Sequence, residues 1–448
     1  MTEPAGAWRL GDVLLRGGHV VPMTGAEDDG AADVLVRDGR IEAVGPGLAA
    51  PDGVPVVDVE GCAVLPGFVQ AHTHLGQALF RGLAEDRPLL SWLRDRIWPL
   101  EAAHDERTAY ASARLCLLDA VASGTTTVQD MGLVRHTEAL ARACEEAGIR
   151  TLLGPCLMDG GDPHLATGTD EALAAAEAFV TREGRRWVRP LLCPRFALSC
   201  SEALWRGVVA LAQRHGVGVH THLLEHPSEE PAVEAAYGVG QMALLDRLGV
   251  LDTDLRVAHC VQLGPAEARV VGDRPLKIAH CPSANLKLGS GIADLRFLGG
   301  LPGAALGIGC DGAPCNNDMD VLEEVRLAAL LQQHRQGPGR FSAYDALRLA
   351  TCDGARAVGL AGEIGTVEPG KWADLVVLDL SSARTFGPPP VGIYDRIVYT
   401  AGRECVRHVF VAGTARVRDG VVTFADPGET MRRAAGAFRA VVHRAGIA

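Results

Sequence analysis

The 448-residue chain reads as an α/β protein: a (β/α)8 barrel with a small β-sandwich built from both termini. Three observations predict this. Eight short apolar runs of strand type alternate with helical stretches between residues 65 and 312, and eight βα units close such a barrel. Their span is close to the roughly 250 residues a barrel takes. Short strands with Asp-Gly turns lie on either side, over 11–65 and 373–420, and chain ends commonly lie together.

At the N-terminal side, Asp12–Arg16 is a strand running into a turn at Gly17-Gly18. Ala32–Arg37 is a second strand, turned by Asp38-Gly39 into the alternating Ile41–Val44. The barrel strands fall near 65–74, 125–131, 149–158, 187–196, 217–225, 255–263, 275–284 and 304–312. Helices are predicted at 319–336, 343–360 and 427–445, the last capped by Asp426 with Pro427 as its first residue. Between the first two, 335–339 is a loop. A strand at 373–379 and another at 406–413, leading to a hairpin at Asp419-Gly420, return to the small domain. The expected divisions are therefore 1–63 and 363–425 for the two parts of the sandwich, 64–362 for the barrel and 426–448 for a C-terminal helix.

Composition narrows the class. With 48% hydrophobic and 22% charged residues, a large buried core is assured. A net charge of −12 argues against nucleic acid and anionic membranes as partners. No apolar run approaches the ~20 residues of a membrane span, and the N-terminus lacks the pattern of a secretory signal. The 12 cysteines are scattered singly, none in Cys-x-x-Cys. Many lie in apolar runs, as small buried hydrophobes of a reduced, cytoplasmic protein.

Chemistry concentrates at strand ends. His72 and His74 follow the run Ala63–Ala71, and alternate residues of a strand share a face. Further on come His222 with Glu225, His259, and Asp311, each at the C-terminal end of a strand candidate, where barrel active sites collect. A lone His-x-His is a weak signal, and any one of these histidines taken singly is as readily a structural residue. Imidazoles and a carboxylate converging at one end suit Zn²⁺ and an activated water. Asp311 is placed both to bind the ion and to orient the nucleophile, and Glu225 to shuttle a proton to a substrate nitrogen. His220 and His222 share a face, so spacing alone leaves either as ligand. The strand-end position and nearness to Glu225 favour His222, with His220 one layer deeper.

The residues Pro66–His74, His222–Glu225, Ala258–Cys260, Ser283–Gly291, Asp311–Pro314 and Gly365–Val376 together resemble the amidohydrolase superfamily. The resemblance is to its branch of nucleobase and nucleoside deaminases and triazine hydrolases, and it covers essentially the whole chain. It implies a TIM-like barrel and a homodimer or larger homo-oligomer acting on a small heterocycle. It implies that His72, His74, His222 and Asp311 bind one zinc or iron, that His259 polarises the attacked carbon or the hydroxide, that Glu225 protonates a ring nitrogen, and that Asp311 takes the water proton. Strand four, 187–196, has no lysine to bridge a second metal, so one ion is expected.

For the substrate, the motifs divide. Ser91–Leu93, Trp98–Glu101, 285–289 and Cys315–Asn317 resemble S-adenosylhomocysteine/methylthioadenosine deaminases and triazine hydrolases, in which a glutamate matching Glu101 meets ribose hydroxyls. Cys193–Ser201 resembles guanine deaminases, in which residues matching Arg195 and Phe196 hold the purine. Arg195 offers a fork of donors suited to a carbonyl-bearing ring; a rim salt bridge, and core packing for Phe196, are the plainer alternatives. No arginine suited to the carboxylate of adenosylhomocysteine is evident near 149–160. The expectation is a deaminase of guanine or a related oxo-heterocycle, with adenosine-type substrates second. Arg195, Phe196, Glu101, Gln77 and Trp92 are the candidate substrate contacts. Triazine dechlorination, cyclic-amide hydrolysis and a non-catalytic scaffold rank lower, because the ligand pattern is complete and of the deaminase kind.

Overall fold

The computed structural model describes residues 11–447. The N-terminal part supplies β1 (Val13–Val20), β2 (Gly30–Arg37), β3 (Arg40–Gly45), β4 (Val56–Asp58) and β5 (Cys62–Pro66). Asp38 and Gly39 turn β2 into β3 with positive φ angles of 49° and 75°, as an Asp-Gly hairpin requires. The expected turn at Gly17-Gly18 is instead a bulge inside β1, where the pairing with β2 shifts between Leu15 and Gly18. A Cβ on Gly18 would come within 2.8 Å of Val64, so these glycines let β1 bend closely past β5.

The barrel follows with β6 (Phe68–Thr73), β7 (Thr125–Asp130), β8 (Arg150–Leu153), β9 (Cys156–Leu157), β10 (Val188–Pro190), β11 (Cys193–Pro194), β12 (Val219–Leu223), β13 (Leu255–His259), β14 (Lys277–His280) and β15 (Ala305–Ile308). Eight of them form one parallel sheet in the order β10-β8-β7-β6-β15-β14-β13-β12, so all eight expected strands are present. The ring closes just past β10. There the Leu192 N–H donates to Gly218 at 3.0 Å and the His220 N–H to Leu192 at 2.8 Å. The short pair β9 and β11 continues the second-last and last strands of this edge toward the top.

At the far end come β16 (Leu375–Asp379), β17 (Val406–Val411), β18 (Thr414–Arg418) and β19 (Val421–Val422). β16 pairs antiparallel with β5. Both ends of the chain thus share one nine-stranded sheet, β19-β18-β17-β16-β5-β1-β2-β3 with β4 beside β1, and the strands expected in a sandwich are joined in it. Alternation divides its faces: Val64, Leu375 and Val377 pack among Val13, Leu15 and Phe410, whereas Ala63, Leu65, Val376 and Leu378 join the barrel core. A buried ion pair ties the two parts together, with Arg150 of β8 donating to both carboxylate oxygens of Asp374 at 2.8 and 3.0 Å. That accounts for the one arginine within 149–160: it serves the seam with the small sheet, below the site.

The helices Val321–Gln336 and Pro427–Ala445 form as expected, capped by Asp320 and Asp426. The predicted helix over 343–360 is two, Ala343–Leu349 and Cys352–Ala357. It breaks because the Ala350 carbonyl turns away to accept the Val69 N–H of β6 at 2.8 Å. Among the described residues no helix is long and apolar enough to cross a membrane, and all 12 cysteines are free, 11 of them buried.

One glycine at the top of the barrel carries a stability prediction. Gly132, just past β7, has φ +72°, and a Cβ there would lie 1.9 Å from the Gly154 carbonyl oxygen. Neither backbone can yield cheaply, so Gly132→Ala is expected to cost about 3 kcal/mol or more, read as a lowered midpoint in urea denaturation.

Candidate metal centre and active site

Strand ends deliver the five predicted groups to one place. His72 is inside β6 and His74 one residue past it, His222 is in β12, His259 ends β13, and Asp311 lies three residues beyond β15. Asp311 reaches back because its φ is +61° and its N–H donates to the His72 carbonyl at 3.1 Å.

Four of these side chains form a tight cluster. His72, His74, His222 and Asp311 each offer a ligand atom, and all four atoms lie within 4.8 Å of one another. Nε2 of His72 and of His74 each stand 3.3 Å from Asp311 Oδ1, and Nε2 of His74 stands 3.2 Å from Nε2 of His222. Neighbouring ligands of an ion with bonds of about 2.0–2.1 Å in tetrahedral geometry stand about 3.3–3.4 Å apart, and these three separations are of that size. The tautomers fit as well. His222 Nδ1 donates to the Arg195 carbonyl at 2.7 Å, which leaves its Nε2 lone pair facing His74. His72 Nε2 is buried with no hydrogen-bond partner, the state of an atom reserved for a cation. Its Nδ1 faces His220 Nε2 at 2.9 Å, and His220 Nδ1 lies 3.2 Å from the Arg256 carbonyl. His220 is therefore the deeper residue that orients His72, the kind of support metal-binding imidazoles usually have.

Charge in the cluster is set by burial. Removal from water holds His72, His74 and His222 below the usual imidazole range, which keeps them neutral, as metal binding requires. Burial also opposes ionisation of Asp311, but the adjoining His72, His259 and His74 outweigh it and hold the carboxyl well below its usual range. Glu225 goes the other way. Burial, reinforced by the Asp311 carboxylate, pushes it well above the usual range, which favours its protonated form. Its Oε2 is 3.5 Å from His259 Nε2. The turn bearing Glu225 is pinned from behind, since Glu229 accepts the backbone N–H groups of Glu225 and His226 at 2.9 and 2.7 Å.

A narrow cavity opens onto the cluster, lined by His74, Gln77, Trp92, Arg195, Phe196 and Glu225 among others. Four of the five expected substrate contacts are therefore on its wall. Glu101 is not. It lies behind, buried, accepting from Arg195 at 2.6 and 3.3 Å and from Gln77 at 2.7 Å. Atoms at the wall remain unsatisfied: Glu225 Oε1, Gln77 Oε1 and the Trp92 indole N–H have no partner.

Sequence reasoning assigned no role to several residues that shape this site. Asn285 Oδ1 meets His259 Nδ1 at 2.9 Å. Lys287 donates to the Pro314 carbonyl at 3.0 Å and pairs with Glu85 at 2.5 Å, binding three top loops together. Asp130 accepts the N–H groups of Leu75 and Gly132. Asn285 and Lys287 lie in a motif visible in the sequence; Asp130 and Glu229 carry no local signal.

Comparison with known proteins follows the same lines. The profile of the amidohydrolase family matches residues 63–416. A 5-methylthioadenosine/S-adenosylhomocysteine deaminase of Moorella thermoacetica is 36% identical over 429 residues, covering 94% of this chain and 97% of the relative. A 5'-deoxyadenosine deaminase of Methanothermobacter thermautotrophicus is 35% identical, covering 91% and 93%. Among solved structures, an adenosine deaminase from Xanthomonas campestris with bound zinc superposes with a TM-score of 0.89 at 32% identity, covering 96% and 99%.

Proposed function

This chain belongs to the amidohydrolase family, and on that premise we propose that it is a zinc-dependent deaminase of adenosine-type nucleosides. At the coarser level it is a hydrolase of carbon–nitrogen bonds other than peptide bonds, removing an amino group from an aminated N-heterocycle. The order of preference among substrates reverses that drawn from sequence. One ground for an oxo-purine was the fork of donors on Arg195, and the buried Arg195–Glu101 pair weakens it. A guanidinium already satisfied by a carboxylate has less to offer a ring carbonyl. The relatives named for methylthioadenosine, adenosylhomocysteine and 5'-deoxyadenosine favour the same choice.

In this reading His72, His74, His222 and Asp311 hold one divalent ion, for which three imidazoles and a carboxylate suit Zn²⁺. When bound, the ion supplies Lewis acidity that brings the pKa of a water toward neutrality. Glu225 enters protonated and donates to a ring nitrogen, which makes the adjacent amino-bearing carbon electrophilic. Asp311 Oδ2, turned away from the imidazoles that Oδ1 faces, takes the proton of the attacking water. His259 holds the oxygen of that water in line with the carbon. The new C–O bond gives a tetrahedral carbon; the proton taken up by Asp311 passes to the amino group, the C–N bond breaks to release ammonia, and the remaining hydroxyl proton returns to Glu225, leaving an oxo ring. A homodimer or larger homo-oligomer in the cytoplasm completes the proposal.

Ammonia release from the zinc-loaded protein tests it against 5′-methylthioadenosine, S-adenosylhomocysteine, 5′-deoxyadenosine, adenosine, guanine, isoxanthopterin, cytosine and melamine. Adenosine-type compounds are expected to exceed guanine in kcat/KM by about 100-fold or more, the discrimination that unpaired polar groups in a site produce. Turnover confined to guanine and isoxanthopterin would instead establish the second reading, whose ground is that Arg195 and Phe196 line the cavity.

A further inference from the structure

The segment Ser283–Gly291 carries a motif that the reaction above leaves unused. Asn285 lies in the short helix Pro282–Lys287 and is 1% exposed. It is held firmly: its N–H donates to the Cys281 carbonyl at 2.9 Å, and its carbonyl accepts the Ser290 N–H at 2.8 Å. Its side-chain oxygen lies 2.9 Å from His259 Nδ1. With the amide in this orientation its oxygen accepts and the ring donates. Neutral His259 then keeps its lone pair on Nε2. That nitrogen has no hydrogen-bond partner, is fully buried, and stands 3.5 Å from Glu225 Oε2 and 3.9 Å from Asp311 Oδ2. The backbone aims the ring there too, with φ of +75° at His259 and +50° at Cys260.

We propose that Asn285 is a positioning residue for the deamination: it selects the tautomer of His259 whose Nε2 accepts, so that the ring takes a hydrogen bond from the attacking water and does not offer one. With the opposite tautomer an N–H would point at the water's lone pairs, the electrons needed to form the new C–O bond. The inference rests on the catalytic reading of His259 and Glu225. A reversed Asn285 amide would donate to Nδ1 and select the other tautomer, so the experiment must separate the two.

Asn285→Asp in its ionised form keeps the acceptor and offers no donor, whereas Asn285→Leu keeps the bulk and does neither. With zinc-loaded proteins of matched melting temperature, Asn285→Asp is expected to retain kcat within about fivefold. Asn285→Leu is expected to lose about 50-fold in kcat, within the 10–100-fold range typical of a residue that orients an active imidazole, with KM little changed. The ¹⁵N spectrum of His259, read without substrate, should show a protonated Nδ1 and an unprotonated Nε2 in the wild type and in Asn285→Asp. A protonated Nε2 in the wild type, or equal kcat in the Asp and Leu variants, would overturn the proposal. Because the spectrum needs no turnover, failure of the parent reading shows separately, as a His259→Ala variant that keeps full activity.

Discussion

Glu225→Gln is expected to lower kcat by about a thousandfold and to leave metal content unchanged. Glutamine keeps the shape of the side chain and removes only the transferable proton, and positioned general acid–base groups contribute about 10²–10⁴-fold. The site is built to make this proton available. Burial and the neighbouring Asp311 hold the carboxyl protonated well above its ordinary range, its Oε1 faces no protein partner, and Glu229 fixes the turn beneath it. The carboxyl is not within the four-residue metal cluster, so metal content per chain should match the wild type. Ammonia release under saturating substrate, with metal analysis of the same samples, checks both halves. A variant within tenfold of wild type in kcat would remove Glu225 from the proton path.

Asp311→Asn has the larger expected reach, because the proposed mechanism gives Asp311 two roles. One oxygen lies 3.3 Å from both His72 and His74, while the other faces His259 at 3.9 Å. Asparagine leaves three imidazoles without the anionic ligand and cannot take up the water proton. The expected result is a loss of at least about 10⁴-fold in kcat, the upper range for general-base removal, together with metal affinity weakened tenfold or more in competition with a chelator. Intact metal affinity with lost turnover would show that Asp311 acts on the proton alone.

How far such a site can be read from sequence depends on the range of the interaction. His72 and His74 were legible because strand alternation puts them on one face, and the Asp-Gly and Asp-Pro punctuation located a hairpin and a helix start to the residue. Strand-end position favours His222 over His220 as the ligand; in the structure the imidazole of His222 faces His74, and that of His220 stands behind His72. The Arg195–Glu101 pair was not legible, because it joins residues 94 apart through packing that no local pattern encodes. Arg195 alone looked like a donor seeking a carbonyl, and that drew the substrate assignment toward guanine. The same limit explains the broken helix at Ala350, whose carbonyl is claimed by a strand 281 positions earlier, at Val69. It also explains Asn285, visible within a motif but meaningful only once His259 is beside it.

The most direct test of the account is a metal titration followed by turnover. The protein is stripped with a chelator, Zn²⁺ is added back in fractions of an equivalent, and ammonia release is measured with the best substrate of the panel. The four-residue cluster predicts no activity in the stripped protein, a linear rise, and a sharp break at one equivalent per chain. Activity that survives stripping, or a break at two equivalents, would contradict a single ion held by His72, His74, His222 and Asp311.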